Sequence, residues 1–246
     1  MKNKLEIIGF NIESCLVAQN AGADRIELCA SPGEGGTTPS YAFIKEARQL
    51  LHIGLYTMIR PRGGDFLYTD VEFTIMKNDI LACKELGCDG VVFGILTEDG
   101  KIDKTRCREL IELAYPLNAT FHRAFDRVAN ANESLEDVID LGFERILTSG
   151  LVPSALNGKN TLAALIKLAE DRIIIMPGSG VKASNIIEIA KKTGAKEFHS
   201  SASIAFESKM NYINTMMNES LSYVSVNENE VKEMAMLLKN YEGSKQ

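Results

Sequence analysis

The sequence predicts a parallel α/β fold, specifically a single-domain (β/α)8 barrel of the TIM type that spans residues 1–246. Two observations support this prediction. Short apolar runs typical of strands alternate with segments of helical periodicity along the whole chain. In addition, a glycine-marked pattern repeats four times at intervals of two strand–helix units, which suits a closed barrel of eight units.

Eight segments have the composition of short buried strands. They are residues 5–9, 25–29, 54–60, 90–94, 119–122, 145–149, 172–176 and 197–200. Helical spacing separates them, as in residues 75–86, where Asp79 alone breaks the apolar stripe. Residues 201–226 have the weakest periodicity, and we assign no structure to them.

Three helix starts carry capping signals. Thr69 and Glu72 predict a capping box, in which each side chain accepts a hydrogen bond from the other residue's backbone N–H. Asn227 and Glu230 repeat that spacing before the last helix. Thr38 followed by Pro39 predicts an N-cap with proline at the first helical position.

The repeat consists of a glycine followed two residues later by a strand. The four glycines lie 52 to 65 residues apart, and each precedes an even-numbered strand: Gly22, Gly87, Gly142 and Gly194. Glycine is favoured after a helix because it adopts left-handed backbone angles without a steric penalty. The alternative is an open doubly wound sheet, which would reverse its strand order at some point.

Composition narrows the class of protein and its compartment. The net charge of −6 argues against general nucleic-acid binding, and no apolar run reaches the ~20 residues of a membrane span. The N-terminus lacks the pattern of a signal peptide. The five cysteines include no C-x-x-C motif, so we expect reduced thiols and a cytoplasmic location. We also expect a homo-oligomer. We expect Cys83 and Cys88 to lie in the core and point away from each other.

Alternation along each strand predicts which side chains face the barrel interior. In the second strand, Ile26 and Leu28 suit the layer beneath the helices, which turns Arg25, Glu27 and Cys29 inward. The same reasoning places further side chains inside, namely Tyr56, Met58, Arg60, Thr120, His122, Glu197 and His199. Active sites of such barrels lie at the C-terminal ends of the strands, where several of these residues fall.

Six sequence segments together resemble the CutC family. In order along the chain they are ADRIELC (23–29), GGTTPS (35–40), MIRPRGGDF (58–66), TFHRAFD (120–126), LTSG (147–150) and PGSG (177–180). The resemblance covers most of the chain and implies a barrel, a cytoplasmic location and a link to copper. One departure is Ser179, where the family pattern leads us to expect glycine.

The loops that follow the strands predict a site for a small anionic ligand. Guanidinium groups suit carboxylate or phosphate, and a glycine turn can present backbone N–H groups to an anion. The candidate ligand-binding residues are Arg60, Arg62, Asp65, Arg123, Asp126, Ser149, Gly178, Gly180 and His199.

Glu27 and His122 are the candidate general acid and base, which would make the protein an enzyme that acts on a small anionic metabolite. The alternative for Glu27 is a buried ion pair that neutralises Arg60. A third possibility is a binding protein that uses the same pocket without catalysis.

Cu(I) prefers thiolate and thioether ligands, and Cys29 with Met58 on the adjacent strand offers one of each. We expect Arg60 to favour the Cys29 thiolate but to repel a cuprous ion, so the predicted Cu(I) binding is weak. The alternative is that Cys29 is a small buried apolar residue. His122 and His199 lie three strands apart, ~14 Å by barrel geometry, which is too far to share one ion.

Overall fold

A computed structural model describes residues 3–243, and eight parallel strands form a nearly closed barrel surrounded by helices. The strands are β1 (Lys4–Gly9), β2 (Arg25–Leu28), β3 (Gly54–Met58), β4 (Gly90–Phe93), β5 (Asn118–Phe121), β6 (Arg145–Thr148), β7 (Ile174–Pro177) and β8 (Glu197–Ser200). The helices are α1 (Ile12–Asn20), α2 (Tyr41–Leu50), α3 (Asp70–Glu85), α4 (Lys104–Ala114), α5 (Ala131–Asp140), α6 (Lys159–Ala169), α7 (Ile186–Thr193) and α8 (Glu228–Gly243). The predicted barrel is confirmed, and each predicted strand boundary lies within two residues of the observed one.

Strand order excludes the open doubly wound alternative. The hydrogen-bonded order is β7-β6-β5-β4-β3-β2-β1-β8, without the reversal that such a sheet requires. The two end strands of this order, β7 and β8, lie side by side and complete the ring. All eight strands therefore direct their C-terminal ends to the same mouth.

The glycine repeat has the predicted structural role. Gly22, Gly87, Gly142 and Gly194 all have positive φ angles, between 76° and 101°. Each lies between a helix and the following even-numbered strand.

Two of the three capping predictions need correction. Thr69 and Glu72 form the predicted capping box of α3. The helix predicted to start at Thr38 starts later, and Ser40 is the N-cap of α2. The Thr38 hydroxyl is not available as a cap, because it accepts a hydrogen bond from the backbone N–H of Arg60, two residues after β3. Before α8, Asn227 accepts from Glu230 N, but the Glu230 side chain accepts from Ala183 N, so only half of the box forms.

The main core lies between the strands and the helices, and all five cysteines are buried. The core placement of Cys83 and Cys88 is confirmed, but the expectation that they point apart is wrong. Helix α3 ends at Glu85, and the turn at Gly87 brings the Cys88 thiol back to hydrogen-bond with that of Cys83.

The unassigned segment 201–226 contains a short hairpin. Strand β9 (Ser203–Phe206) pairs antiparallel with β10 (Tyr223–Val226), and Asn11 Nδ2 donates to Val224 O at 3.1 Å. This contact holds the hairpin beside the barrel mouth. Among the described helices, none combines the length and the hydropathy that a membrane span requires.

Candidate functional site

Charged side chains fill the barrel interior below the mouth, and strand alternation predicted two of them, Arg25 and Glu197. Arg25 forms ion pairs with Glu6 on β1 and, at 2.8 Å, with Glu197 on β8. Arg145 Nε donates to the same Glu197 carboxylate at 3.1 Å. We call these four residues (Glu6, Arg25, Arg145 and Glu197) the ion-pair layer.

The pKa values of the ion-pair layer reflect this mutual neutralisation. Burial alone would raise the pKa of Glu6, but the charge of Arg25 and the hydrogen bond from His199 hold it well below its usual range. Burial likewise opposes ionisation of Glu197, and Arg145 and Arg25 keep its pKa low. Both carboxylates are therefore ionised in the folded protein, and their charges are compensated inside it.

A cavity of about 350 Å³ opens at the barrel mouth directly above this layer. It contains seven of the residues predicted for the site, namely Glu27, Met58, Arg60, His122, Arg123, Gly180 and His199. Apolar residues form much of the remaining wall: Ile8, Phe10, Phe66, Leu147 and Val224. The structure thus brings together most of the candidates that lie on the strand ends.

Glu27 lies on the cavity floor and is incompletely partnered. The Cys29 thiol donates to its Oε2 over 3.7 Å, and His199 Nε2 lies 3.9 Å from the same oxygen. Its Oε1 is buried and has no hydrogen-bond partner among residues 3–243. Burial raises the pKa of Glu27 to about 7, since the charge of His199 offsets this effect only in part and Glu6 adds to it.

His199 connects Glu27 to the ion-pair layer. Its Nδ1 lies 2.7 Å from Glu6 Oε1, a hydrogen bond that fixes the ring with Nε2 facing Glu27. Burial lowers the pKa of His199, but the negative charges of Glu27 and Glu6 outweigh burial, and the net shift is upward. The imidazole is therefore held between two carboxyl groups.

His122 is a neutral hydrogen-bond donor. Its Nδ1 accepts from Ala124 N at 3.3 Å, so the ring proton lies on Nε2, which is buried and unpartnered in the described chain. Burial lowers the pKa of His122 to about 3, and the charge of Arg60 contributes. The Phe66 ring packs on the imidazole with 4.8 Å between centroids.

The predicted ion pair between Arg60 and Glu27 is wrong. Arg60 donates from its two terminal nitrogens to three backbone carbonyls, those of Glu34, Gly36 and Gly64, at 2.7 to 2.9 Å. The loops that cover Arg60 thus occupy three of its four terminal N–H groups, while its Nε is buried without a partner among residues 3–243. Although Arg60 is buried, it forms no salt bridge in the part of the chain that the structure describes.

Asp126 and Ser149 support Arg123 rather than line the cavity. Arg123 Nε donates to Asp126 Oδ2 at 2.7 Å, and its Nη2 donates to Ser149 Oγ at 3.3 Å. Asp126 also accepts from Thr148 and from the backbone of Ser149. These contacts hold the partly exposed guanidinium at the cavity rim.

Arg62 and Asp65 lie away from the cavity. They pair with each other at 2.9 Å, and Arg62 also pairs with Glu72 at 2.6 Å. Both carboxylates neutralise the Arg62 charge at the surface. The structure therefore does not bring this predicted pair to the site.

The turn after β7 offers fewer free backbone N–H groups to an anion than its glycine-rich sequence predicts. Gly178 N donates to Thr148 O at 3.0 Å, so it is not available to an anion. A Cβ at Gly178 would lie 2.3 Å from Leu147 Cδ1, so a larger residue there would force the Leu147 side chain to move. Ser179, the departure from the family pattern, has a φ of 74°, in the region that favours glycine, and its hydroxyl donates to Pro153 O.

Cys29 lies behind the cavity wall, and the expectation of a reactive thiolate is wrong. Burial raises the pKa of Cys29 well above its ordinary value, and the neighbouring Glu27 carboxylate adds to the effect. Cys29 and Met58 do lie close together. A Cβ placed on Gly36 would lie 3.1 Å from Cys29 Sγ and 3.7 Å from Met58 Cε.

Three parts of this site were not predicted from the sequence, namely Glu6, Phe66 and Val224. Glu6 had a readable signal, because outward Leu5 and Ile7 on β1 imply that Glu6 points inward. Phe66 and Val224 reach the cavity from loop and hairpin segments, whose positions depend on tertiary contacts rather than on strand alternation.

Comparison with known proteins gives consistent matches. The model of the CutC family matches residues 3–204. A CutC family protein of Parabacteroides distasonis is 51% identical over 226 residues, which cover 92% of this chain and 93% of the relative. The human protein named copper homeostasis protein cutC homolog is 48% identical, covering 89% of this chain and 81% of its own length. A solved structure of a CutC protein from Streptococcus agalactiae has a TM-score of 0.78 at 39% identity, with 81% of this chain and 98% of that chain covered.

Proposed function

The chain belongs to the CutC family, and we propose that it binds a small metabolite bearing a carboxylate or phosphate in the cavity at its barrel mouth. The observation that carries this proposal is Arg60, a buried guanidinium beside the cavity that forms no ion pair among the described residues. A buried charge is costly unless it is compensated, and backbone carbonyls compensate it only in part. An anion in the cavity would complete the compensation.

Two further groups favour an anion at the same place. Burial and Arg60 keep the His122 ring neutral, and its Nε2–H has no partner in the described part of the chain. Arg123 is held at the rim by Asp126 and Ser149. Charge-assisted hydrogen bonds from guanidinium groups are among the stronger ones available to carboxylate and phosphate.

The size and the remaining walls of the cavity indicate the chemistry of the rest of the ligand. The volume of about 350 Å³ is at the small end for ligand pockets, so a metabolite fits better than a cofactor. Met58, Phe66 and Leu147 supply an apolar side, and Glu27 supplies an oxygen that has no hydrogen-bond partner within residues 3–243. We infer an anionic end at the rim and a hydroxyl or carbonyl group at the floor. The acid–base role predicted for Glu27 and His122 stays a prediction, and a neutral His122 suits a donor role.

A thermal-shift titration tests this proposal. Phosphate, sulfate, sugar phosphates and small carboxylates are added to the wild type, to Arg123→Gln and to the control Lys45→Gln, which changes an exposed charge on α2. A ligand at 100 times its Kd should stabilise the wild type and the control by about 2.7 kcal/mol. The shift should shrink in Arg123→Gln. If no compound in the panel changes the melting temperature of the wild type, the proposal fails.

Cu(I) binding is the second candidate function, favoured by the convergence of Cys29 and Met58 and by the name of the human relative. The site offers only two soft ligands, and one of them is a thiol that resists ionisation, so we expect weak binding. We expect a competing Cu(I) chelator to remove the ion under anaerobic, reducing conditions, and Cys29→Ser to abolish binding. One equivalent held against a strong chelator, and lost only in Cys29→Ser, would make copper the preferred function.

A cytoplasmic location and self-association are also part of the proposal. The described cysteines are free thiols, as is usual in a reducing compartment. Size-exclusion chromatography with light scattering would test the oligomer.

A further inference from the structure

The floor of the cavity has the geometry of a cation site that is distinct from the pair of soft ligands at Cys29 and Met58. One ligand atom each from Glu6, Glu27 and His199 lies within 4.8 Å of the other two, and all three residues are buried. Ligand atoms bound at ~2.1 Å to one ion are at most ~4.2 Å apart, and His199 Nε2 already lies 3.9 Å from Glu27 Oε2, so small side-chain shifts would let these two residues share an ion.

The hydrogen bonding around His199 resembles the outer shell of a metal-binding histidine. A histidine ligand usually donates its second ring N–H to a carboxylate, which fixes the ring and its tautomer. Here Glu6 Oε1 lies 2.7 Å from Nδ1, and Arg25 holds the other oxygen of Glu6. Nε2 is thereby directed toward Glu27 and the cavity.

The charges of the interior leave Glu27 as the carboxylate in need of a partner. Glu6 and Glu197 both pair with Arg25, and Glu197 also pairs with Arg145. Glu27 contacts a thiol and an imidazole, and its buried Oε1 has no partner in residues 3–243. Because Glu27 and His199 both line the cavity, an ion between them would keep open positions toward a ligand.

We propose that Glu27 and His199 bind a divalent first-row cation such as Zn²⁺ or Mn²⁺ on the cavity floor, with Glu6 orienting the His199 ring through Nδ1. Imidazole and carboxylate ligands suit these ions, whereas Cu(I) prefers sulfur. The inference deepens the proposed function: the cation would hold the hydroxyl or carbonyl end of the metabolite whose anionic end meets Arg60 and Arg123.

Calorimetric titration of the purified protein with Zn²⁺ alone tests the site without any anion, so it can fail while the anion proposal stands. The wild type should bind one equivalent. Glu27→Gln and His199→Gln should each weaken binding at least about tenfold. Their matched controls, Glu13→Gln and His52→Gln, change exposed residues and should bind as the wild type does. Wild-type affinity in both floor variants, or loss of binding in Cys29→Ser alone, would overturn the proposal.

A second measurement uses the unmodified protein and does not depend on whether the variants fold. The chain has three histidines, His52, His122 and His199, so their ring signals can be separated by NMR. Substoichiometric Mn²⁺ should broaden the His199 signals first and leave those of exposed His52 sharp. Broadening of His52 before His199, or no broadening of His199, would contradict a floor site.

Discussion

The barrel interior contains two layers of ionisable side chains that differ in how they are paired. In the ion-pair layer, each of Glu6, Arg25, Arg145 and Glu197 forms at least one direct pair with an opposite charge. Nearer the mouth, Glu27, Arg60 and His122 each keep a buried polar atom without a partner among the described residues. Arg145 Nη2 in the ion-pair layer is also unpartnered there, but Arg145 forms ion pairs with Glu144 and Glu197, whereas none of the three residues near the mouth forms a guanidinium–carboxylate pair in residues 3–243. We call these three residues the mouth layer.

This difference separates a structural role from a binding role. Buried polar groups are normally hydrogen-bonded, so residues that line a cavity, keep an unpartnered polar atom and lack a guanidinium–carboxylate pair mark positions for a ligand or an ion. The ion-pair layer neutralises itself and supports the mouth layer from below, since Glu6 fixes the ring of His199. Substitutions in the two layers should therefore change the free energy of unfolding differently.

Glu197→Gln should have the largest effect on stability. It removes the carboxylate that both Arg25 and Arg145 contact, leaving two buried guanidinium groups undercompensated. The expected loss is ~3–5 kcal/mol in the free energy of unfolding, measured by urea denaturation. Glu13→Gln, on the exposed side of α1, should change it little. A loss below ~1 kcal/mol for Glu197→Gln would remove the distinction between the layers.

His122 should make stability fall with acid. Its pKa is lowered to about 3 in the folded state, against ~6.5 unfolded, so the unfolded chain binds the extra proton as pH falls below ~6.5. Between that pH and pH 5 the wild type should lose ~2 kcal/mol through this residue. His122→Gln should lose less over the same interval. The loss is measured by urea unfolding of both proteins at pH 6.5 and pH 5. If the wild type and His122→Gln lose the same stability, the pKa of His122 is not lowered in the folded protein.

Glu27→Gln should preserve or raise stability in the protein without ligand. The substitution keeps the shape of the side chain but removes a buried carboxyl that forms no ion pair with a guanidinium group in the described residues. A gain of up to ~1 kcal/mol is expected, opposite in sign to Glu197→Gln. A loss as large as that of Glu197→Gln would place Glu27 among the structural charges.

Ser179→Gly should have the smallest effect. Glycine relieves the positive φ at this position, but the hydrogen bond from the Ser179 hydroxyl to Pro153 O is lost. Each contribution is ~1 kcal/mol, so the change in thermal midpoint should be near zero. Ser179→Ala, which keeps the strain and loses the hydrogen bond, should be clearly less stable than Ser179→Gly.

The glycine repeat and the succession of strands and helices predicted the barrel. Alternation along each strand predicted the inward side chains, because period-two burial is a local property of a strand. It placed Glu27, Arg60, His122 and His199 around one space. It did not predict their partners. Arg60 was expected to meet Glu27, but the loops after β2 and β3 present carbonyls to it, and loop paths depend on tertiary contacts.

The same reason explains the residues that were misplaced or missed. Arg62 and Asp65 follow a strand end, yet their loop turns them toward each other and toward α3. Glu6 could have been found from the alternation on β1, because its neighbours Leu5 and Ile7 face the helices. The hairpin residue Val224 could not, since no periodic pattern marks that segment.

The most direct test of the mouth layer as a binding site is a crystal structure of the protein soaked in tungstate, an oxyanion with a strong anomalous signal. We predict one tungstate in the cavity, within hydrogen-bond distance of His122 Nε2 and of the Arg123 guanidinium. Soaked crystals of Arg123→Gln should show it at reduced occupancy. An empty, solvent-accessible mouth, with tungstate bound only at the outer surface, would contradict the account.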